Sequence, residues 1–317
     1  MATIDCGPLT VDSKYIMVTI KEVSSRKELR QFVRFATELY KDSPYYTPCL
    51  EFDEINTFDT KKNPALEHSK FANFLAYKDG KIVGRITAII NNLANEHWGC
   101  KKVRFGWFDF IDDYEVSKAL LDAVADWGRK NGMTAMNGPV GFTDFDHQGL
   151  LLEGYDYISP MISLYNYPYY VEHFDRYGLV KEADWIEFLV STPYQIPEKM
   201  ERVAKIVMEK YKIRIDKVRT IKELKEKYGY SYFDVIDAAY QPLYNFQPLT
   251  QRQKEYYAEM YFPMINFDFI TIAINELDEI VGVGIGMPDI SKALQETRGK
   301  LFPFGWIKLL KALKAKQ

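Results

Sequence analysis

The sequence predicts an α/β fold built from two tandem copies of one unit, each a mixed, mainly antiparallel sheet flanked by helices. An Ile-Val-Gly tripeptide at residues 82–84 recurs at 280–282. A capping box, Ser or Thr followed three residues later by Glu, begins a helix at 25–28 and again at 220–223. The two pairs of segments keep nearly the same spacing and the same order of elements, which indicates an internal duplication.

The first copy is predicted to form a domain at residues 15–190, after a flexible N-terminus at 1–14. Alternating apolar residues indicate strands, an amphipathic pattern indicates helices, and the Lys-Asp-Gly-Lys segment at 78–81 indicates a hairpin turn. The predicted strands are 15–23, 71–77, 82–90, 103–111, 133–137 and 185–190, and the predicted helices start at Ser25 and span 115–131 and 169–177. Gly132 and Gly178 are placed where C-terminal helix caps are expected.

The second copy is predicted at residues 198–317, after a linker at 191–197 that contains two prolines. Its predicted elements are a strand at 213–218, a helix through Leu224 and Phe233, a helix at 251–261, and a hairpin of 267–275 and 280–287. Nothing in it corresponds to the last part of the first copy. We therefore expect only the N-terminal part of a second domain, in a fragment of a longer protein or in a natural truncation.

Composition restricts the class of partner. The net charge of -3 gives no long-range attraction to polyanions, so nucleic acid is not an expected partner. Three cysteines and four histidines lack the spacing of a metal site or of a disulfide framework. The sequence shows no signal peptide and no apolar run that could span a bilayer, which predicts a cytoplasmic protein.

The element order and one helix end resemble those of the GNAT acyltransferases, and the whole chain resembles tandem GNAT-like proteins of bacteria. The segment His-Phe-Asp-Arg-Tyr-Gly-Leu at 173–179 resembles the helix that in this family carries a general-acid tyrosine. The resemblance implies transfer of an acyl group from acetyl-CoA or another acyl-CoA to the amine of a small acceptor, without a metal.

The first copy departs from that family at the cofactor loop. The positions of the arginine and glycines that hold the pyrophosphate carry Asp112, Asp113, Glu115 and Ser117. Three carboxylates would repel a diphosphate, whereas acidic residues in a first helical turn favour helix capping. The tyrosine position carries Phe174, which cannot donate a proton. We therefore expect acyl-CoA to bind the second domain and not the first.

The glycine-rich loop at 138–154 is the predicted acceptor cleft, because loops rich in glycine and side-chain oxygens at strand ends often bind ligands. An ordered loop packed on its aromatic residues is the alternative. The candidate substrate-binding residues are Gly138, Asp144, Glu153 and Tyr169. The candidate catalytic residues are Asp109, Asp146 and His147.

Asp109 is selected because Val103, Phe105, Trp107 and Ile111 are predicted on its strand face, and apolar surroundings can make a carboxylate a base. A hydrogen-bonded aspartate at a strand end is an equal alternative.

The candidate cofactor-binding residues are Gly282, Gly284 and Gly286, which alternate along a strand and therefore share one face.

A basic amphipathic stretch at 306–314 predicts either weak contact with a membrane surface or a helix that packs between domains.

Two further functional classes stay open. One is a non-catalytic binding or scaffold protein that kept the fold without the cofactor site. The other is a Fem-type aminoacyl transferase, which the overall charge disfavours because it must bind tRNA.

Overall fold

The computed structural model describes residues 17–191 and 193–314, so the predicted flexible segment 1–14 lies outside the described residues. Helices and strands follow one another in two groups. The first group is β1 (Thr19–Glu22), α1 (Arg26–Leu39), α2 (Glu51–Thr57), β2 (Ser69–Lys78), β3 (Lys81–Asn91), α3 (Asn92–His97), β4 (Lys102–Phe110), α4 (Tyr114–Lys130), β5 (Ala135–Asn137) and α5 (Tyr169–Tyr177). The second is α6 (Glu198–Tyr211), β6 (Arg214–Asp216), α7 (Ile221–Tyr228), α8 (Ser231–Tyr240), α9 (Gln251–Tyr261), β7 (Ile270–Ile274), β8 (Ile280–Ile285), α10 (Ser291–Thr297) and α11 (Gly305–Leu313).

The first five strands form one sheet in the order β1-β2-β3-β4-β5. Neighbouring strands are antiparallel except β4 and β5, which are parallel and pair over only three residues each. Helices α4 and α5 pack on one face through Leu120 and Phe174. Helix α1 packs on the other face through Phe32. Both faces of the sheet are therefore covered, which explains why β3 is buried along nearly its whole length.

A β-bulge in β4 changes the orientation of its side chains. Arg85 is opposite Asp109 and Thr87 is opposite Gly106, so one extra residue of β4 lies between these pairs. Trp107 there has a φ of 47°. Val103 and Phe105 face α4, but Asp109 faces α1, so the prediction that Asp109 shares their face is wrong. A bulge shifts the alternation by one residue, and Gly106, a glycine inside the strand directly before Trp107, is the signal for it in the sequence.

The second sheet repeats the first three strands, in the order β6-β7-β8 with antiparallel pairs. This confirms the predicted repeat of a strand, helices and a hairpin. The single helix predicted through Leu224 and Phe233 is instead two helices, α7 and α8, separated at Gly229 with a φ of 56°. Helices α8 and α9 cover one face of this sheet, around Ile272.

The strand predicted at 185–190 does not form, and that prediction is wrong. The segment has no regular secondary structure, and Phe188 and Leu189 are exposed at 80% and 91%. Its apolar alternation suits a strand, but a strand also needs a neighbouring backbone, and β5 offers only three residues before the chain turns away. Helix α6, which follows, was not anticipated.

The two halves of the chain contact one another through the loop that follows β5. Phe145 stacks on Tyr257 of α9 with ring centroids 4.5 Å apart, and Thr143 Oγ1 lies 2.6 Å from the Tyr257 hydroxyl. Helix α11 packs through Leu309 in a cluster that includes Leu50 and Met161 of the first half. Helix α11, which contains the basic amphipathic stretch, is thus part of the packing between the two halves of the chain. No helix among the described residues is both long and apolar enough to cross a membrane.

Candidate functional site

A cavity lies where β4 and β5 separate. The two strands pair only as far as Arg104 and Asn137. Beyond Asn137 the chain passes close to β4, and a Cβ atom on Gly138 would collide with the Phe105 carbonyl oxygen. The wall of the cavity comes from α1, from 46–54, from β4 after the bulge, from the loop at 139–166, and from Arg298 and Lys300. Because β4 and β5 are no longer paired at this point, backbone and side chains of the cavity wall are open to a ligand.

A buried hydrogen-bond network forms one side of the cavity. Arg85 Nε donates to Asp109 Oδ2 at 2.7 Å, and the Tyr40 hydroxyl donates to Asp109 Oδ1 at 2.9 Å. The Tyr170 hydroxyl lies 2.7 Å from that of Tyr40 and accepts from the Phe110 N–H. Burial, with the Asp109 charge, raises the pKa of both tyrosines well above the usual value. Both oxygens of Asp109 are already hydrogen-bonded, so this carboxylate holds α1 and α5 against β4.

A Cys–His pair forms another side. Cys49 Sγ lies 3.9 Å from His147 Nδ1, and His147 Nε2 lies 2.9 Å from the carbonyl oxygen of Met161. Burial lowers the pKa of His147, but the Cys49 sulfur raises it. The Met161 carbonyl and the Glu54 carboxylate add to the rise, and the pKa of His147 reaches about 10. These contacts favour the protonated imidazole when the Cys49 sulfur carries a negative charge.

Glu54 lines the cavity from α2, and its Oε2 accepts a hydrogen bond of 2.9 Å from Trp107 Nε1. The wall has three other carboxylates. Glu51 pairs with Arg34 and Asp109 pairs with Arg85. The third, Glu38, is exposed. Within the described ranges, 17–191 and 193–314, Glu54 has no ion-pair partner within 4.0 Å. It is thus a carboxylate that a positively charged ligand group can reach.

Of the three candidate catalytic residues, Asp109 and His147 line the cavity and Asp146 does not. Asp146 Oδ2 accepts the N–H of Thr143 at 3.0 Å, and a Cβ on Gly141 would collide with the Asp146 side chain. Burial raises the pKa of Asp146 to about 6. Its contacts organise the loop itself.

None of the four candidate substrate-binding residues lies in the cavity wall. Asp144 faces the second half of the chain, where burial raises its pKa to about 6 despite Arg104 and the Gln247 N–H. Glu153 is exposed, and Tyr169 donates its hydroxyl to the Phe110 carbonyl. Gly138 allows the close approach to Phe105, and its neighbour Pro139 lines the cavity instead.

The loop before α4 acts as a helix cap. The Asp113 carboxylate accepts the Glu115 N–H at 3.0 Å and pairs with Lys78 at 2.5 Å. Asp112 Oδ1 lies 3.1 Å from His173 Nε2. These carboxylates occupy the helix N-terminus where a pyrophosphate would need positive charge, so the residues present do not fit the nucleotide part of coenzyme A. The predicted capping role of this loop is confirmed.

Of the three candidate cofactor-binding glycines, Gly282 and Gly284 lie on β8 and Gly286 directly follows it, and none is in the cavity wall. Cβ atoms on Gly282 and Gly284 would lie 3.5 and 3.9 Å from the Cβ atoms of Ala273 and Thr271. They line one face of a strand at the edge of the described sheet, as expected from their spacing. Their part in cofactor binding stays a prediction. Within the described part of the chain, no group of His, Cys, Asp and Glu side chains has the arrangement of a metal site.

Sequence reasoning missed Cys49, Glu54 and Arg85. Cys49 and His147 are 98 residues apart in the chain, and no local motif links them. Glu54 follows Glu51 and Asp53, where a run of acids resembles an ordinary helix start. An arginine in the middle of an apolar strand was the one available signal, because a buried guanidinium requires a carboxylate partner.

The strand order, the parallel β4–β5 pair and the repeated hairpin unit define the fold class: an α/β protein of two tandem, mainly antiparallel units, in the order of elements for which the sequence resembles GNAT-like proteins. No protein-family model matches the chain. It is 30% identical over 298 residues to Protein YghO of Escherichia coli, an alignment that spans 93% of this chain and 74% of that protein. The chain therefore belongs to the family of Protein YghO.

Two further comparisons give similar proteins. The bacterial ceramide synthase of Caulobacter vibrioides is 28% identical over 310 residues, which cover 96% of this chain and 79% of that protein. A solved tandem GNAT protein from the clavulanic acid biosynthesis pathway aligns with 84% of this chain and 73% of its own, at 11% identity and a TM-score of 0.43.

Proposed function

We propose that this protein is an N-acyltransferase that moves an acyl group from an acyl-CoA thioester to an amine held in the cavity between β4 and β5. The observation that supports this most directly is the Glu54 carboxylate, which lines the cavity without an ion-pair partner among the described residues. An ammonium group entering the cavity would find there the opposite charge that it needs.

Glu54 suits both binding and proton removal. The Trp107 N–H fixes Oε2, which leaves Oε1 for the acceptor. An amine must lose a proton when its nitrogen bonds to the acyl carbon, and a carboxylate within hydrogen-bond reach can accept it. The predicted base Asp109 is less suited, because Arg85 and Tyr40 already occupy its oxygens.

The acceptor to test first is a long-chain amino alcohol. Ceramide, the product named for the Caulobacter relative, is an amide of a fatty acid with such an alcohol. The purified chain, incubated with acetyl-CoA or palmitoyl-CoA and a set of primary amines that includes sphinganine, is expected to form the amide. Mass spectrometry of the amide is the measurement.

The Glu54→Gln variant is expected to lower kcat/KM by roughly 100-fold, since the amide side chain keeps the shape but neither attracts an ammonium nor accepts its proton. Glu96→Gln, at an exposed glutamate outside the cavity wall, is the matched control and should leave the rate unchanged. Amide formation by Glu54→Gln at the wild-type rate would contradict the role of Glu54. Failure of every acceptor would favour the non-catalytic class.

A further inference from the structure

Cys49 and His147 come from distant parts of the chain and meet on the cavity wall. Their side chains are 3.9 Å apart, and Cys49 is a free thiol. A carbonyl oxygen can only accept a hydrogen bond, so the contact with Met161 requires the proton of a neutral His147 to lie on Nε2. Its other nitrogen, Nδ1, then presents a lone pair to the thiol.

This arrangement is that of an activated nucleophile: a thiol, a base within reach, and a third group that orients the base. The raised pKa of His147 favours transfer of the thiol proton to the imidazole. A thiolate beside an imidazolium is the reactive form of cysteine.

Thr47 provides an independent observation at the same place. It is 6% exposed and lines the cavity two residues before Cys49. Within the described ranges its hydroxyl has no hydrogen-bond partner. An unpaired buried hydroxyl is destabilising, and an acyl carbonyl oxygen beside Cys49 would relieve this by accepting its hydrogen bond.

We propose that Cys49 carries the acyl group as a thioester between the donor and the acceptor, with His147 as its proton partner. This inference rests on the proposed function and specifies its chemical route, which passes through a covalent intermediate on Cys49. It requires only an acyl thioester as donor, so it does not depend on a pyrophosphate site in the first domain.

Each step balances. In the first, the Cys49 thiolate bonds to the acyl carbon, the donor carbon–sulfur bond breaks, and the leaving thiolate takes the proton from His147. In the second, the acceptor nitrogen bonds to the acyl carbon and the bond to Cys49 breaks. The acceptor ammonium gives one proton to Glu54 before it attacks, and the second proton passes to His147 as the carbon–nitrogen bond forms. The Cys49 thiolate beside the imidazolium is thereby restored. Thr47 donates to the carbonyl oxygen, which gains negative charge in both steps.

The test is acid-quenched mass spectrometry of the full chain after incubation with an acyl thioester and no amine. Acetyl-CoA and acetyl-N-acetylcysteamine, a thioester without a nucleotide, serve as probes. One acyl group is expected per chain, mapped to Cys49 and removed by hydroxylamine. Cys49→Ala should lose the label, and His147→Ala should acquire it more slowly. Cys100→Ala is the matched control, because Cys100 is partly buried but lies outside the cavity, and it should keep the label.

Turnover distinguishes this inference from the proposed function. Cys49→Ala is expected to lower kcat by about 10³-fold or more, with thermal unfolding and the Cys49→Ser variant as checks on folding. Amide formation by Cys49→Ala at the wild-type rate would overturn the covalent route and leave the proposed function intact. If Cys49 becomes acylated but no amine accepts the acyl group, the covalent step is retained and the proposed N-acyltransferase function is overturned. Initial rates should give parallel double-reciprocal lines, and intersecting lines would contradict the route.

Thr47→Val keeps the shape and removes the hydroxyl. It should slow acylation of Cys49 by about 10–100-fold, whereas Thr47→Ser should stay close to the wild-type rate. A Thr47→Val protein that acylates at the wild-type rate would exclude Thr47 from the route.

Discussion

The two copies of the repeated unit differ in how their sheets are covered. In the first, Ile86 faces α4 and Ile89 faces α1, and both are fully buried. In the second, Ile272 is fully buried under the helices, but Thr271 on the opposite face is exposed. The same order of strands and helices thus supports a sheet with two covered faces and a sheet with one. The covered faces of the first copy are where the Arg85–Asp109 ion pair and the cavity occur.

The largest expected difference concerns the buried cations. Arg85→Met leaves Asp109 buried without its partner and should destabilise the first copy by about 3–5 kcal/mol. Lys254→Met in the second copy should cost less, about 1–2 kcal/mol. Its partner Asp234 is 66% exposed and stays hydrated, so only Asp237, at 17% exposure, is left partly buried without a cation. Hydrogen exchange, measured separately in β3 and β7, resolves the two effects.

The double variant Arg85→Met with Asp109→Leu is the control for this comparison. Replacing both charges with apolar side chains removes the unpaired carboxylate, so a large part of the lost stability should return. A double variant no more stable than Arg85→Met would show that the ion pair is not what determines stability there.

The next effect concerns close packing at glycine. Gly138→Ala should cost about 1–3 kcal/mol, because the added Cβ collides with the Phe105 carbonyl and ring. Gly282→Ala should change stability by less than about 0.5 kcal/mol, because its Cβ would make an ordinary contact at 3.5 Å. Urea unfolding monitored by hydrogen exchange measures both. Equal effects would contradict the difference in packing.

Gly284→Ala tests the predicted cofactor site. If backbone at β8 approaches the cofactor, the variant should weaken acetyl-CoA binding by about 10-fold without loss of stability, because the methyl group separates ligand and backbone. Isothermal titration calorimetry is the measurement. Unchanged affinity would remove these glycines from the cofactor site.

The last comparison concerns pH dependence, whose sign differs between the copies. The pKa of Asp146 is raised from 3.8 to about 6, so its contribution to stability is fully present below about pH 4 and is lost as pH rises through 6. The Tyr228 hydroxyl holds the pKa of Asp216 below its usual value, so that contribution is lost only as pH falls below the usual range. Between about pH 4 and 7 we expect Asp146 to lower the stability of the first copy by roughly 3 kcal/mol as pH rises, and Asp216 to add no slope.

Asp146→Asn checks this, since the amide oxygen can still accept the Thr143 N–H. The slope of unfolding free energy against pH should become shallower in that variant. It should also keep catalytic activity, because Asp146 lies outside the cavity wall. A large loss of activity with normal stability would restore Asp146 as a catalytic candidate.

Local signals predicted much of the fold. The boundaries of α5 and α9 agree with the sequence prediction, and the capping box at Ser25 forms with both of its hydrogen bonds. In the second copy Thr220 accepts from Glu223, but Glu223 accepts from the Arg219 N–H instead of the cap residue. Such features depend on neighbours within four residues, so the sequence contains them directly.

The candidate site was harder to predict, because its contacts join distant residues. His147 was selected from a polar loop, but its partner Cys49 could be found only once the fold brought residues 98 apart together. The bulge at Trp107 determines which face Asp109 takes. An isolated strand glycine such as Gly106 is typical of a bulge, but it does not specify which residue of β4 is the extra one. The apolar alternation at 185–190 was present without a neighbouring strand to pair with.

The segment at 298–300 joins the two copies in a way that bears on their history. The Gly299 carbonyl accepts the Glu51 N–H at 2.9 Å, and Arg298 and Lys300 on either side line the cavity of the first copy. After a duplication, one copy is usually free to decay or be deleted. Here the later part of the chain supplies a wall to the earlier part, so its deletion would open the cavity to water. We therefore expect selection on the cavity to retain both copies of the repeated unit.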